Sequence, residues 1–564
     1  MKKMRKPLAG LIVLLIGLSL LAGCENGTTE KKQKIDKTYE ADIVVVGGGG
    51  AGFSAALAAL QAGKSVILLE QLAYTGGNTV LAGGAMNAAY TIDDDFHTPG
   101  TLTMNASNMQ LVEEKIAMRA GDASYAHLNI SAADVTKINA AMLPWQTALN
   151  TDWQKWKTTS TGFFDSPYLH ILQTYEAGDF IAKPELVETF GKNAVEAWLW
   201  LRDIGGTTNV NAQPGYIVGS LWNRSHAVTA PGTTGGSGVG FIRPQEAKYI
   251  ELGGQLLLKH QAQKIKMNGK NVAGVIGSFP EGVFEVKAKA VIMATGGFGG
   301  NWDMLEEYQP NKQANYNPHE QELKWANIKN YSTTNSISAA TGEGLMMVKA
   351  VGASLYQMDQ IQLLPGSNTA PGANLNDTIY VNELGKRIVN ESGRRDELSL
   401  SYIAQEKRTG GSSWAVGNRT TGTTYADLDA LGTALLTQNG TMSTDNLNTF
   451  KTNFTTAVDN YNASFLDPTG TPDWAGKLLK YKQLTAPWVF TAVQRPYIHH
   501  TMGGIEINGK TEVLTAGGAV IPGLYAAGEC IGGLHGANRI GGNALGDIVI
   551  FGRIAGKNAA EYIK

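Results

Sequence analysis

Four residues near the start of the chain have the types and spacing for one task. Gly47, Gly49 and Gly52 form a Gly-x-Gly-x-x-Gly run, and Glu70 closes the apolar run Ser65-Val-Ile-Leu-Leu69 that follows it. Gly47 would make a tight turn, Gly49 would let backbone approach a pyrophosphate, and Gly52 would let a helix pack closely on a strand. The helix N-terminus offers free N–H donors and the positive end of its dipole to that anion. Glu70 is placed to accept a hydrogen bond from a ribose hydroxyl. The chemistry is the binding of a dinucleotide.

Two other groups could move protons or hold charge. His499 and His500 stand side by side in Tyr497-Ile-His-His-Thr-Met-Gly-Gly504. Adjacent imidazoles amid paired glycines read as site residues rather than core packing. They could begin a metal site, but no third ligand lies at suitable spacing, so no metal is expected. The run Glu391-Ser-Gly-Arg-Arg-Asp-Glu397 is a dense cluster of alternating charge. Taken alone, it reads as a solvated face.

These residues need elements to position them. Ile43–Val46 is a short β-branched strand, Phe53–Ala62 an alanine-rich helix, and Ser65–Leu69 the next strand: a βαβ unit. Gly pairs at 76–77 and 83–84 describe backbone lying against a flat ligand. Helices are expected at Val112–Ala120, Pro184–Asp203, Arg243–Gly253, Asn446–Phe465 and Asp547–Ile563, a hairpin at Val272–Ser278 and Val283–Val286, and a strand at Ile379–Asn382. Residues 88–190 read as peripheral or helical packing without chemistry. Residues 358–494 have fewer glycine turns and more polar and aromatic side chains, and read as an inserted second domain.

The 564 residues, 43% hydrophobic with a formal net charge of −2, suffice for two or more domains and give no reason to expect a nucleic acid partner. Lys2, Lys3, Arg5 and Lys6 precede an apolar stretch ending Leu21-Ala-Gly-Cys24. This is the pattern of a secretory signal peptide. Its last four residues look like a bacterial lipobox, implying cleavage before Cys24, a lipid on that cysteine and an extracytoplasmic globule on a polar tether. The domain expectation is therefore 1–23 signal, 24–37 tether, 38–357 and 495–564 nucleotide domain in two segments, and 358–494 cap. Cys530 is the only other cysteine, so neither a CxxCH haem attachment nor an iron–sulfur ligand set can be built.

From about residue 40 to 564 the motifs resemble the flavoprotein family of soluble fumarate reductases of the flavocytochrome c type, related to the succinate dehydrogenase flavoprotein and L-aspartate oxidase. The most specific blocks are His499-His-Thr-Met-Gly-Gly504, Ile521-Pro-Gly-Leu-Tyr-Ala-Ala-Gly-Glu529 and Gly532-Gly-Leu-His-Gly-Ala-Asn-Arg-Ile-Gly-Gly-Asn-Ala-Leu545. The resemblance implies an α/β fold: a Rossmann-like FAD domain in two segments with an inserted α+β capping domain. By position it puts Gly47, Gly49 and Gly52 on the FAD pyrophosphate and Glu70 on the adenosine ribose. It sets Asn78, Thr79, Gly83 and Gly84 along the flavin, with Glu343, His500, Glu529, Ala544 and Leu545 completing the site. FAD is expected to be non-covalent, since no histidine lies near residues 70–85. His499 and Arg539 match residues that bind a substrate carboxylate, and Arg395 aligns with an arginine that donates a proton.

The implied reaction is hydride transfer from flavin N5 to the β-carbon of an enoate, with Arg395 protonating the α-carbon. His499 and Arg539 would stabilise the developing negative charge. An arginine is a poor acid unless buried, so the cap must exclude solvent. Two departures stand out. The fumarate enzymes carry Gln-x-His-Pro-Thr where this chain has Gln362-Leu-Leu-Pro-Gly366, so Leu364 replaces a histidine that contacts the second carboxylate. Their Thr-Glu-x-x-Arg relay is missing, leaving Asp377 or Arg394 as substitutes. A monocarboxylate of acrylate, methacrylate, cinnamate or urocanate type is favoured, with Gln362 and Leu364 lining its site. The alternatives are a fumarate reductase proper, a dehydrogenase of ketosteroid type, or a flavin lipoprotein that only carries electrons. Lacking a second redox centre, the chain would take electrons from a separate cytochrome or flavinylated donor.

Overall fold

The computed structural model describes residues 34–89, 103–159, 162–205, 207–208, 214–229, 236–309, 328, 331–367, 378–409, 413–417, 423–439, 444–465 and 483–564. Cys24 and Asp377 lie outside the described residues. Strands from both ends of the chain build a six-stranded sheet in the order Glu512–Leu514, Val520–Ala526, Ala290–Met293, Ile43–Val46, Val66–Glu70, Gln255–Leu258. All of its pairings are parallel except the first. Ile43–Val46 and Val66–Glu70 are buried throughout, as strands covered on both faces must be. Helix Gly50–Gln61 packs on the closing helix Asn543–Tyr562. A Cβ on Gly556 would stand 2.2 Å from the Ala55 carbonyl oxygen, so glycine is what lets the two helices approach.

The expected hairpin is present as Asn271–Phe279 and Gly282–Lys287, in a four-stranded sheet edged by Lys37–Glu40 and Gln261–Asn268. Helix Pro184–Asp203 has the expected bounds. Others begin earlier than their apolar periodicity indicated, at Val239, Thr444 and Asn543. The helix expected at Val112–Ala120 spans Ala106–Ala117, because an Asn105–Asn108 capping box starts it a turn and a half sooner.

Two further cores flank the site. Residues 104–222 gather an aromatic-rich cluster in which Trp153 and Trp156 stack at 4.9 Å. In the cap, Leu431, Phe450, Phe454 and Tyr461 pack on Ile379, Val381, Val416 and Phe490. The long strand Trp488–Thr501 pairs with Ser413–Gly417 in its first half and with Ser332–Thr333 and Ile361–Ser367 further along. It runs from the cap core to His499 and His500 without a break.

Candidate active site

One channel is lined by Gly47–Ala51, Glu70, Asn78, Thr79, Thr295, Glu343 and Glu529. Its walls explain the glycine spacing. Gly47 has φ +111°, and a Cβ there would lie 2.3 Å from the Ala294 carbonyl oxygen. On Gly52 it would lie 1.8 Å from the Gly47 oxygen. Gly49 differs: among the described residues, its chain neighbours apart, nothing comes nearer than 3.9 Å to where its Cβ would be. Packing does not demand glycine there, but a side chain would fill the channel. That is the cradle a dinucleotide pyrophosphate requires, so the residues present fit FAD. Glu70 is buried and accepts from the N–H groups of Gly48 (2.9 Å) and Leu72 (2.7 Å); burial raises its pKa.

Other expected channel residues are placed variously. The Asn78 amide donates to Asn335 and accepts from Ser336 N–H, and Thr79 Oγ1 accepts from Gly50 N–H. Glu343 accepts from Gln261. Glu529 accepts from Thr501 N–H, with its pKa raised by burial. Ala544 and Leu545 open the closing helix one turn before Ile548, which lines the channel. Gly83 and Gly84 are not among its walls. Gly84, at φ +73°, packs on backbone instead: a Cβ would lie 2.0 Å from Ser237 N.

Beyond the channel the structure gathers Arg395, Arg539, His499 and His500. Arg539 is buried; its Nη1 donates to the Ile540 carbonyl at 3.0 Å and its Nε has no partner among the described residues. Burial pushes its pKa down to about 10, opposed by Glu529 and Asp547. Arg395 Nε donates to the Val218 carbonyl at 2.9 Å and its Nη1 has no partner among the described residues. Burial, then repulsion from Arg539, lowers its pKa well below the usual guanidinium range. Among the described residues neither guanidinium forms an ion pair. A ladder irregularity opposite Gln362 and Leu363 puts Gln362 against His500 and Leu363 against Ile498, leaving His499 unpaired. Such a bulge re-aims side chains. His499 Nδ1 lies 2.8 Å from Thr334 Oγ1, and His500 stands edge-on to His535. Both rings are kept neutral by burial and then by Arg539.

The cap contributes Leu364 and Gln362. Leu364 is buried in a cluster with Val218, Tyr380, Leu398 and Ala415. Gln362 donates to Asn538 Oδ1 and to the Arg539 carbonyl. The solvated-face reading of residues 391–397 is overturned: Glu391, Arg395 and Asp396 are buried, since Arg387 pairs with Glu391 and Arg394 with Asp396 and Asp179. Asp179 lies in the stretch read as devoid of chemistry, as does Asp165, which holds buried Arg224 by a two-pronged bond. Gly219 and Gly541 were also missed. A Cβ on Gly219 would lie 2.7 Å from Arg395 Cγ, and one on Gly541 would lie 3.0 Å from Arg395 Nη2. The Val-Gly-Ser run around Gly219 carries no motif to mark it. Cys530 is buried and its thiol pKa is pushed up to about 12, so it is inert.

The family model described as "FAD binding domain" matches residues 42–135 and 156–545. The chain is 32% identical to NADH:acrylate oxidoreductase of Vibrio harveyi, over 93% of this chain but 51% of that protein, so it spans about half of that relative. It is 31% identical to Fumarate reductase (cytochrome) of Shewanella frigidimarina, over 93% of this chain and 77% of that one. Among solved structures, the open conformation of a flavocytochrome c3 fumarate reductase superposes with a TM-score of 0.58 at 26% identity, covering 94% of this chain and 79% of that chain.

Proposed function

Since the chain belongs to the FAD binding domain family and is an FAD-dependent oxidoreductase acting on carbon–carbon double bonds, we propose that it reduces an α,β-unsaturated monocarboxylate. The observation that carries this is the pair of buried, unpaired guanidiniums of Arg395 and Arg539 beside His499. Buried cations are costly without a counter-charge. A substrate carboxylate would supply it, bonding to the free N–H groups.

FAD, when bound, supplies the hydride. Arg539 and neutral His499 hold the carboxylate and stabilise the negative charge that builds on it during reduction. Arg395 gives its proton to the α-carbon. Its lowered pKa makes the guanidinium a stronger acid than in water, and the Val218 carbonyl fixes its direction. The apolar cluster around Leu364 supports a substrate whose far end carries no second carboxylate, such as an acrylate, methacrylate, cinnamate or urocanate. The leader ending at Cys24 supports a lipid-anchored protein outside the bacterial cytoplasmic membrane, fed by a separate cytochrome or flavinylated donor.

Anaerobic reoxidation of the dithionite-reduced protein tests this, with fumarate and those monocarboxylates on wild type, Arg395→Ala and Leu364→His. One monocarboxylate should oxidise the wild type fast. Arg395→Ala should be slower by about 10²–10⁴-fold, the usual worth of a positioned acid. Leu364→His should shift preference toward fumarate. Fumarate winning in the wild type would overturn the reading of Leu364. No oxidation by any acid would overturn the reductase.

A further inference from the structure

Two arginines from distant parts of the chain must meet within one substrate's length, and a single turn touches the supports of both. Residues 178–180 follow helix Pro167–Ala177. Gly178 packs on the loop that leads into Arg539: its carbonyl accepts from Ala537 N–H at 3.1 Å, and a Cβ on it would lie 2.7 Å from the His535 oxygen. The next residue, Asp179, accepts from Arg394 Nη1 at 2.5 Å, and Arg394 is the neighbour of Arg395. Phe180 is buried and anchors the turn edge-on against Tyr125 (5.0 Å) and Tyr175 (5.6 Å).

The turn is strained. Asp179 and Phe180 have φ of +56° and +60°, a conformation that residues with a side chain rarely adopt even singly. Strain of this kind persists where surrounding contacts over-determine it. Here it accompanies an ion pair that crosses from the helical segment to the cap. A second cross-link runs beside it, from Tyr216 OH to the Ser392 carbonyl at 2.7 Å.

We propose that Asp179 is a positioning residue: through Arg394 it sets where the cap places Arg395, relative to the Arg539 loop held by the same turn. It is not among the walls of the FAD channel. The inference rests on the enoate reductase reading, and Arg395→Ala separates the two.

Asp179→Asn is the sharp test. Asparagine tolerates a left-handed backbone, and Asp396 still pairs with Arg394, so no buried cation is stranded. The variants are Asp179→Asn, Arg394→Gln and the double, assayed with the best enoate alongside Arg395→Ala. Each single should lower kcat about tenfold to a hundredfold, with KM within about threefold, as a misplaced catalytic group does. Flavin absorbance should not move, nor should the thermal midpoint of Asp179→Asn, whereas Arg394→Gln leaves buried Asp396 without its cation and should lose stability. The double should be no slower than the slower single. Wild-type kcat in Asp179→Asn while Arg395→Ala is dead would overturn this inference alone. So would a raised KM with kcat intact, or losses that multiply in the double. An active Arg395→Ala would overturn the proposed function itself.

Discussion

The nucleotide cradle and the arginine site are built on opposite principles. In the cradle, one short stretch supplies strand, turn, helix and acid; Glu70 accepts two backbone N–H groups and Thr79 accepts a third, although Thr295 Oγ1 on the channel wall has no partner among the described residues. In the arginine site, residues from positions 179 to 541 converge, and the central groups lack partners: Arg395 Nη1, Arg539 Nε and His500 Nδ1. The first region is settled by its own packing. On the proposed function the second is completed by what it binds, so its residues should affect turnover more than stability.

The largest expected break in that contrast is Arg539→Gln. It removes a buried charge while leaving every glycine of the cradle in place. We expect kcat/KM to fall about 10²–10³-fold, the scale of losing one charge-stabilising donor, with flavin content and thermal midpoint at wild-type values. A matching loss of flavin would erase the distinction. Next in size is the effect of pH on the wild type. Arg539 is charged below its folded pKa of about 10, so the free enzyme loses its hold on a carboxylate as pH rises through that value. There kcat/KM should fall by about tenfold per pH unit, a slope set by the free enzyme's titration. A flat profile to pH 11 (~1 unit beyond) would mean that Glu529 and Asp547 offset burial more fully. Smallest in its effect on turnover is Gly52→Ala. Its new methyl must displace the Gly47 carbonyl, costing about 1–3 kcal/mol of stability. Thermal midpoint and FAD occupancy should drop, while kcat per bound flavin stays the same.

The same contrast governs what could be read beforehand. Gly47, Gly49, Gly52 and Glu70 were legible because they fall close together in the sequence at a fixed spacing, and a close backbone approach leaves glycine there. Helix Pro184–Asp203 was legible by periodicity and a proline at its first position. Arg395 was not legible from physics alone. Its charged neighbours resemble a solvated face until Asp179, over two hundred residues earlier, is seen to pair with one of them. Asp179 left no trace either, because the left-handed positions of its turn, Asp179 and Phe180, are not glycines. The motif resemblance supplied Arg395, but not the turn and glycines that place it.

The unbroken strand Trp488–Thr501 bears on how such enzymes could be re-engineered. Its first half belongs to the cap's ladder and its end carries His499 and His500. A chimaera joined at residue 494, where composition changes, would splice two ladders in mid-register and inherit neither pairing. The transferable module ends after Thr501 and brings both imidazoles along. Exchanging caps to alter the substrate would therefore exchange part of the proposed carboxylate clasp as well.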